Sequence, residues 1–225
     1  MPDILYIDIE TTANEGMRKF IPQPIPPAAD EAPPGSQTSA KKTATWLVQE
    51  QMRRDKKYAS AVEGMAVDVD YARVLAIGWE GDDGDWGVWY SFDNKTEIHN
   101  FIAFWDLLFK YRRLCGWNIL HFDLPIILRR SWALGIQPTR TLNLNRYSTT
   151  EIDLMEIFYH CGQAPGPRYR KLSEVAAMYG IPDEHPDLDG SMVAEMDEPT
   201  LISYCRNHVR MTRELAERTR GWYWQ

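Results

Sequence analysis

The chain has 225 residues, 44% of them hydrophobic and 25% charged, which suits one sizeable α/β domain around a single core. Its net charge of −7 argues against non-specific coating of duplex DNA, but not against a protein that gathers carboxylates to hold metal ions. Cys115, Cys161 and Cys205 form no CxxC pair, no apolar run approaches the ~20 residues of a membrane helix, and the N-terminus does not read as a signal peptide. These features exclude a zinc knuckle or disulfide framework and lead us to expect an intracellular, cytoplasmic location with buried, reduced cysteines.

The opening 3-DILYIDIET-11 is an apolar, β-branched run that reads as a buried strand. The Pro- and Ala-rich 21-IPQPIPPAADEAPPGSQTSAKK-42 reads as a loop or insertion, at about residues 20–42, in a single domain spanning 1–225. Residues 43–58 regain helical character. Next, 73-RVLAIGWE-80 and 86-WGVWYSF-92 flank the turn 81-GDDGD-85 as a hairpin. Over 95–111 the spacing of Ile98, Phe101, Ile102, Trp105, Leu108 and Phe109 predicts a helix. A short strand, 113-RLCGW-117, precedes a helix over 122–136 that closes at Gly135. The segment 150–159 is ambiguous between strand and helix. Helices are expected over 172-LSEVAAMYGIP-182, 191–196 and 199–220. This order predicts a mixed β-sheet flanked by α-helices.

Three stretches carry candidate chemistry. Asp8 and Glu10 are i and i+2 on a strand and share a face. Two buried carboxylates side by side need a cation or a proton; the alternative is a strand that ends near Asp8 with both acids in water. Asp123, in 118-NILHFD-123, enters the first turn of a helix, either as a functional acid or as an ordinary N-terminal residue. Tyr204 and His208 are i and i+4 on the last helix, which places them either at a site or simply on the core side. The basic groups Arg53, Arg54, Lys56 and Lys57, Arg112 and Arg113, and Arg129 and Arg130 are expected on solvated faces. Arg168, Arg170 and Lys171, in 168-RYRKLS-173, either lie on a solvated face or, preceding a helix start, help bind a phosphate there. Trp117 and Tyr169 are candidates for stacking on bases, with core packing the alternative for Trp117.

Taken together with their flanks 153-DLMEIF-158, 172-LSEVAAMYGIP-182 and 190-GSMV-193, these stretches resemble the DEDD exonucleases, 3′→5′ nucleases with a ribonuclease H-like fold. The resemblance is to the branch with a Tyr in its last motif, and most closely to stand-alone exonucleases related to the proofreading domain of family B DNA polymerases. The first motif stands as Asp8, Glu10 and Thr11, the second as Asn118, Phe122 and Asp123, and the third as Tyr204, Cys205, His208, Val209 and Thr212. The resemblance implies a ribonuclease H-like sheet and two divalent ions, Mg²⁺ or Mn²⁺. Asp8, Glu10, Asp123 and the third-motif residue would hold the ions, and Tyr204 would orient the attacking water. It also implies a nucleic-acid 3′ end as substrate, and the need to thread that end into the site favours single-stranded DNA. Contacts are expected from the motif residues Thr11, Asn118 and Phe122 and from the basic Arg168 and Lys171. Any polymerase or repair partner would be a separate chain.

One position departs from the pattern: His208 stands where the family has Asp. That leaves three carboxylates for two ions. Imidazole is a softer donor, better suited to Mn²⁺, Co²⁺ or Zn²⁺ than to Mg²⁺. Three readings follow: a working enzyme with shifted metal preference, a catalytically impaired nucleic-acid-binding module, or a changed version of an enzyme whose natural residue is Asp. An exoribonuclease shares the same motifs. The spacing of Asp187 and Asp189 does not show whether they reach the site.

Overall fold

The computed structural model describes residues 3–31, 40–160 and 170–220. In chain order the elements are β1 (Ile4–Ala13), a 3-10 turn (Glu15–Phe20), α1 (Ala40–Glu63), a 3-10 turn (Gly64–Val67), β2 (Ala72–Gly81), β3 (Trp86–Tyr90), α2 (Asn94–Leu108) and β4 (Arg113–Gly116). They continue as α3 (Asp123–Ala133), β5 (Glu151–Asp153), α4 (Leu154–His160), α5 (Leu172–Met178), a 3-10 turn (Val193–Glu195) and α6 (Glu198–Thr219). The chain divides into two compact units, one made of Met1–Thr12 with Arg73–Gln225 and one of Ala13–Ala72.

The first unit is an α/β layer structure around a five-stranded sheet of order β3-β2-β1-β4-β5. β1 runs parallel to β4, with Ile4, Leu5 and Tyr6 opposite Arg113, Leu114 and Cys115; β4 runs parallel to β5, and β2 antiparallel to β3. The mixed sheet expected from the element order is present. β1 is central because Ile4, Leu5, Tyr6 and Ile7 are all buried, as a strand covered on both faces requires. The segment 150–159 resolves its ambiguity by being both: β5 leads directly into α4. The helix expected over 191–196 is only the 3-10 turn Val193–Glu195.

α2 starts at Asp93, whose side chain accepts from Thr96 N–H at 2.7 Å. Its buried stripe is Phe101, Phe104, Trp105, Leu107 and Leu108, whereas Ile102 and Phe109 are exposed. The predicted stripe therefore fails at two residues: α2 ends at Leu108, so Phe109 lies beyond it, and Ile102 falls on the helix's outer face. Arg130 is not on a solvated face. Its guanidinium is buried and donates to Glu97 at 3.0 and 2.6 Å, while Glu97 also accepts from Val74 N–H at 3.1 Å. This ion pair ties α3 to α2 and β2. Cys115 and Cys205 are buried and free, as expected; Cys161 lies outside the described residues.

α6 is strongly amphipathic and begins at Asp197, which accepts from Thr200 N–H at 3.0 Å. It packs closely on β2 at Gly78. A Cβ there would stand 3.0 Å from Val209 Cγ2 and 3.3 Å from Cys205. That close approach brings α6 down onto the sheet.

In the second unit, the Pro-rich stretch has no helix or strand from Ile21 to Glu31. Gln23 donates to Tyr58 at 2.8 Å, and Arg54 donates to Ile25 O at 2.9 Å and to Glu31 at 2.7 Å, which fastens this stretch to α1.

Candidate active site

β1 is longer than its parallel partner: the β1–β4 ladder runs to Tyr6 and Cys115, β4 stops at Gly116, and β1 continues to Ala13. Asp8 and Glu10 therefore sit at the carboxyl end of the parallel strands, where ligand crevices form in α/β sheets. The alternative of a strand ending near Asp8 does not hold. Glu10 is buried and Asp8 half-buried. Both line a cavity of about 420 Å³.

The second wall is the turn between β4 and α3, and Gly116 permits it. A Cβ at this position would lie 2.1 Å from Ile119 Cγ2 and 2.9 Å from Ile7 O. Asn118 then takes a left-handed conformation with φ of 62°, which Asn tolerates better than most residues. Its carbonyl accepts from His121 and Phe122 N–H at 3.2 and 3.1 Å. Asn118, Phe122 and Asp123 all line the cavity. Asp123 is the first residue of α3, and its Oδ1 accepts from Ile9 N–H at 3.1 Å, between the two acids of β1.

α6 supplies the third wall. Tyr204 and His208 both reach the cavity, with ring centroids 4.2 Å apart. His208 Nδ1 is 3.3 Å from Asp8 Oδ2 and 3.3 Å from Glu10 Oε1. Asp8, Glu10 and His208 each offer a ligand atom, all within 4.8 Å of one another. Asp123 lines the same cavity but stands outside this three-residue cluster.

The electrostatics follow from burial of like charges. Desolvation pushes the Glu10 carboxyl up; the His208 hydrogen bond pulls it down and the charge of Asp8 adds to the rise, for a net pKa of about 7. Desolvation alone would lower His208, but hydrogen bonds to Asp8 and Glu10, with their charges, raise it to about 10. The Asp123 carboxyl is raised well above its ordinary value by burial, then by the charge of Asp8. Tyr204 is raised by burial and by Glu10 and Asp8, so its hydroxyl keeps its proton at neutral pH. His208 beside Asp8 and Glu10 thus favours its imidazolium form, and the carboxyls of Glu10 and Asp123 take up a proton more readily than they would in water. The same donor set fits divalent cations, because two carboxylate oxygens and one imidazole nitrogen converge where charge compensation is needed.

Lys171 also lines the cavity. Thr11 is buried but is not among the lining residues, while Arg168 and Tyr169 lie outside the described residues. Trp117 takes the core-packing alternative, buried and packed on Phe158 and Tyr159, and it also borders the cavity. Asp187 and Asp189 line the cavity too, on a loop held by α6. In that loop Asn207 donates to Asp183 at 2.7 Å and accepts from Glu184 N–H at 3.3 Å, and Arg210 donates to Pro182 O at 2.5 Å. Sequence reasoning missed Asn207. A signal was available, since a polar residue three positions after Tyr204 falls on the buried side of α6.

Residues 68–212 match the family described as "Predicted 3'-5' exonuclease related to the exonuclease domain of PolB". The matched span contains the second and third motifs, and Asp8 and Glu10 lie upstream of it. No curated protein matches the chain. Among solved structures, the family B DNA polymerase from the hyperthermophilic archaeon Pyrobaculum calidifontis is similar, with a TM-score of 0.57 and 21% identity over 97% of this chain. The chain spans 24% of that polymerase, and at this identity the likeness speaks for the fold. With most of its length inside the matched span, the chain belongs to the family of predicted 3′-5′ exonucleases related to the exonuclease domain of PolB.

Proposed function

We propose that the chain hydrolyses phosphodiester bonds from the 3′ end of single-stranded DNA, using divalent cations held by Asp8, Glu10, Asp123 and His208. The observation that carries this reading is the convergence of Asp8, Glu10 and His208 donor atoms within 4.8 Å, in a cavity that Asp123 and Tyr204 also line. When bound, two such ions supply an activated water and charge stabilisation at the leaving 3′-oxygen. The protein's own groups prepare that chemistry. Asp8 and Glu10 present their carboxylates on one face of β1, and His208 becomes a ligand by giving up the proton it shares with them. The protonated Tyr204 hydroxyl donates a hydrogen bond that orients the attacking water. Lys171 offers a positive charge to the phosphate, and Asn118 and Phe122 border the space for the terminal nucleotide. A site built to hold phosphates reads little base sequence.

A second reading, a nucleic-acid-binding module without turnover, draws support from the imidazolium of His208 between Asp8 and Glu10. A metal-by-substrate screen separates the readings. The purified chain is given 3′- and 5′-labelled single-stranded DNA and RNA with Mg²⁺ or Mn²⁺. We expect DNA to shorten from the 3′ end, faster in Mn²⁺ than in Mg²⁺, and an Asp8→Ala variant to be inactive. Binding with no metal-dependent product would favour the second reading. Faster cleavage of RNA would move the substrate assignment to exoribonuclease.

A further inference from the structure

Asp153, the last residue of β5, belongs to none of the three motifs and does not line the cavity. It is buried, and its carboxylate gathers backbone donors from two segments. Oδ1 accepts from Asn118 N–H at 2.9 Å and Met155 N–H at 2.9 Å, with Glu156 N–H farther off at 3.4 Å. Oδ2 accepts from Leu120 N–H at 3.0 Å. The Met155 and Glu156 bonds cap the start of α4, an ordinary role for an Asp. The Asn118 and Leu120 bonds are different, because those donors belong to the turn between β4 and α3. That turn takes a left-handed residue at Asn118, a conformation that persists only when its surroundings hold it. One turn onward the chain reaches Asp123, whose carboxylate is in turn bonded to Ile9 N–H of β1.

We propose that Asp153 is a positioning residue for the nuclease reaction: its carboxylate fixes the turn that carries Asn118 and Phe122 and so sets the placement of Asp123 in the cavity. The inference rests on the exonuclease reading above. A carboxylate is required because both its oxygens accept. An Asn of the same shape would turn its NH₂ toward one of the two donors and set donor against donor.

The test compares Asp153→Asn with Arg140→Met. The second variant removes an ion pair to Glu151 on the same strand, where Arg140 donates at 2.9 Å, and leaves the donors of the turn in place. Hydrogen exchange at the Asn118 and Leu120 amides, Mn²⁺ affinity by titration calorimetry, and kcat and KM on single-stranded DNA are measured for each. We expect Asp153→Asn to speed exchange at both amides and to weaken Mn²⁺ binding and kcat by roughly 10–100-fold, the scale typical of groups that orient metal ligands. Arg140→Met should leave kcat and Mn²⁺ affinity within about twofold of the wild type. Wild-type Mn²⁺ affinity and kcat in Asp153→Asn, or equal losses in Arg140→Met, would overturn the proposal. Asp123→Ala separates this result from the reading beneath it. If Asp123→Ala is fully active, the exonuclease reading of the cavity fails; if it is inactive while Asp153→Asn is normal, only the positioning role fails.

Discussion

On the β1–α6 side of the cavity, Asp8 and Glu10 are held by a side chain, with His208 Nδ1 3.3 Å from each. On the β4–α3 side, Asp123 is held by the backbone, through Ile9 N–H and through the turn that Asp153 fastens. On the function proposed above, the first arrangement should depend on a proton and respond to pH and to cations. The second is set by the fold and is present before any ligand arrives. One side of the cavity is therefore set by backbone contacts, whereas on the function proposed above the other is completed when a cation displaces a proton.

The preformed side is broken most directly at Arg130. Arg130→Met would leave Glu97 charged and buried without its partner, which costs about 3–5 kcal/mol. For a chain of this size that is a fall in Tm of roughly 10 °C. Glu97→Gln added to Arg130→Met should recover part of the loss, because the uncompensated charge is gone. Calorimetry on the single and double variants checks this. Loss in the single variant without recovery in the double would mean that packing of the guanidinium stem, rather than its charge, anchors α3.

The two sides also differ in how legible they were. β1 announced itself through an unbroken apolar run ending in two acids at i and i+2, and the structure keeps both at one cavity. Helical spacing put Tyr204 and His208 on one face of α6, and only the resemblance to the DEDD exonucleases made that face a candidate site. The supports of the other side were opaque. Asp153 acts on Asn118 across 35 positions, and Asn207 acts on Asp183 across 24, separations over which no periodicity operates. Arg130 misled for a related reason: beside Arg129 it reads as a solvated basic pair, yet Glu97 is 33 positions away and buried. Local pattern reveals which face a residue takes, but a buried polar contact is fixed by the partner that tertiary packing delivers.

The proton-dependent side is sharpened by His208→Asp. With a hard carboxylate at this position, Mg²⁺-dependent cleavage should rise roughly tenfold, equivalent to about 1.4 kcal/mol in the barrier, and the advantage of Mn²⁺ over Mg²⁺ should narrow. Single-turnover rates in the two metals measure both effects. An unchanged or slower rate in Mg²⁺ would show that the site has adapted to imidazole.

The smallest expected effect is a pH dependence of stability in the metal-free protein. Folding raises Glu10 to about 7 and His208 to about 10, and raises Asp123 as well. All three shifts have the same sign, so the folded state binds more protons than the unfolded chain. Stability from these groups is complete below their ordinary pKa values, ~4 for the carboxyls and ~6.5 for the imidazole. It is lost as pH climbs toward the folded values. In EDTA, Tm should therefore fall by a few degrees between pH 6 and pH 8.5, about 2–4 °C for each kcal/mol lost. His208→Gln isolates the imidazole: the wild type should be the more stable at pH 6, and its lead should shrink as pH rises. Saturating Mn²⁺ replaces the displaced protons, so it should raise Tm more at pH 8.5 than at pH 6. If Tm in EDTA is level across this range and the Mn²⁺ increment is the same at both ends, then His208 does not sit protonated between Asp8 and Glu10, and the contrast between the two sides of the cavity disappears.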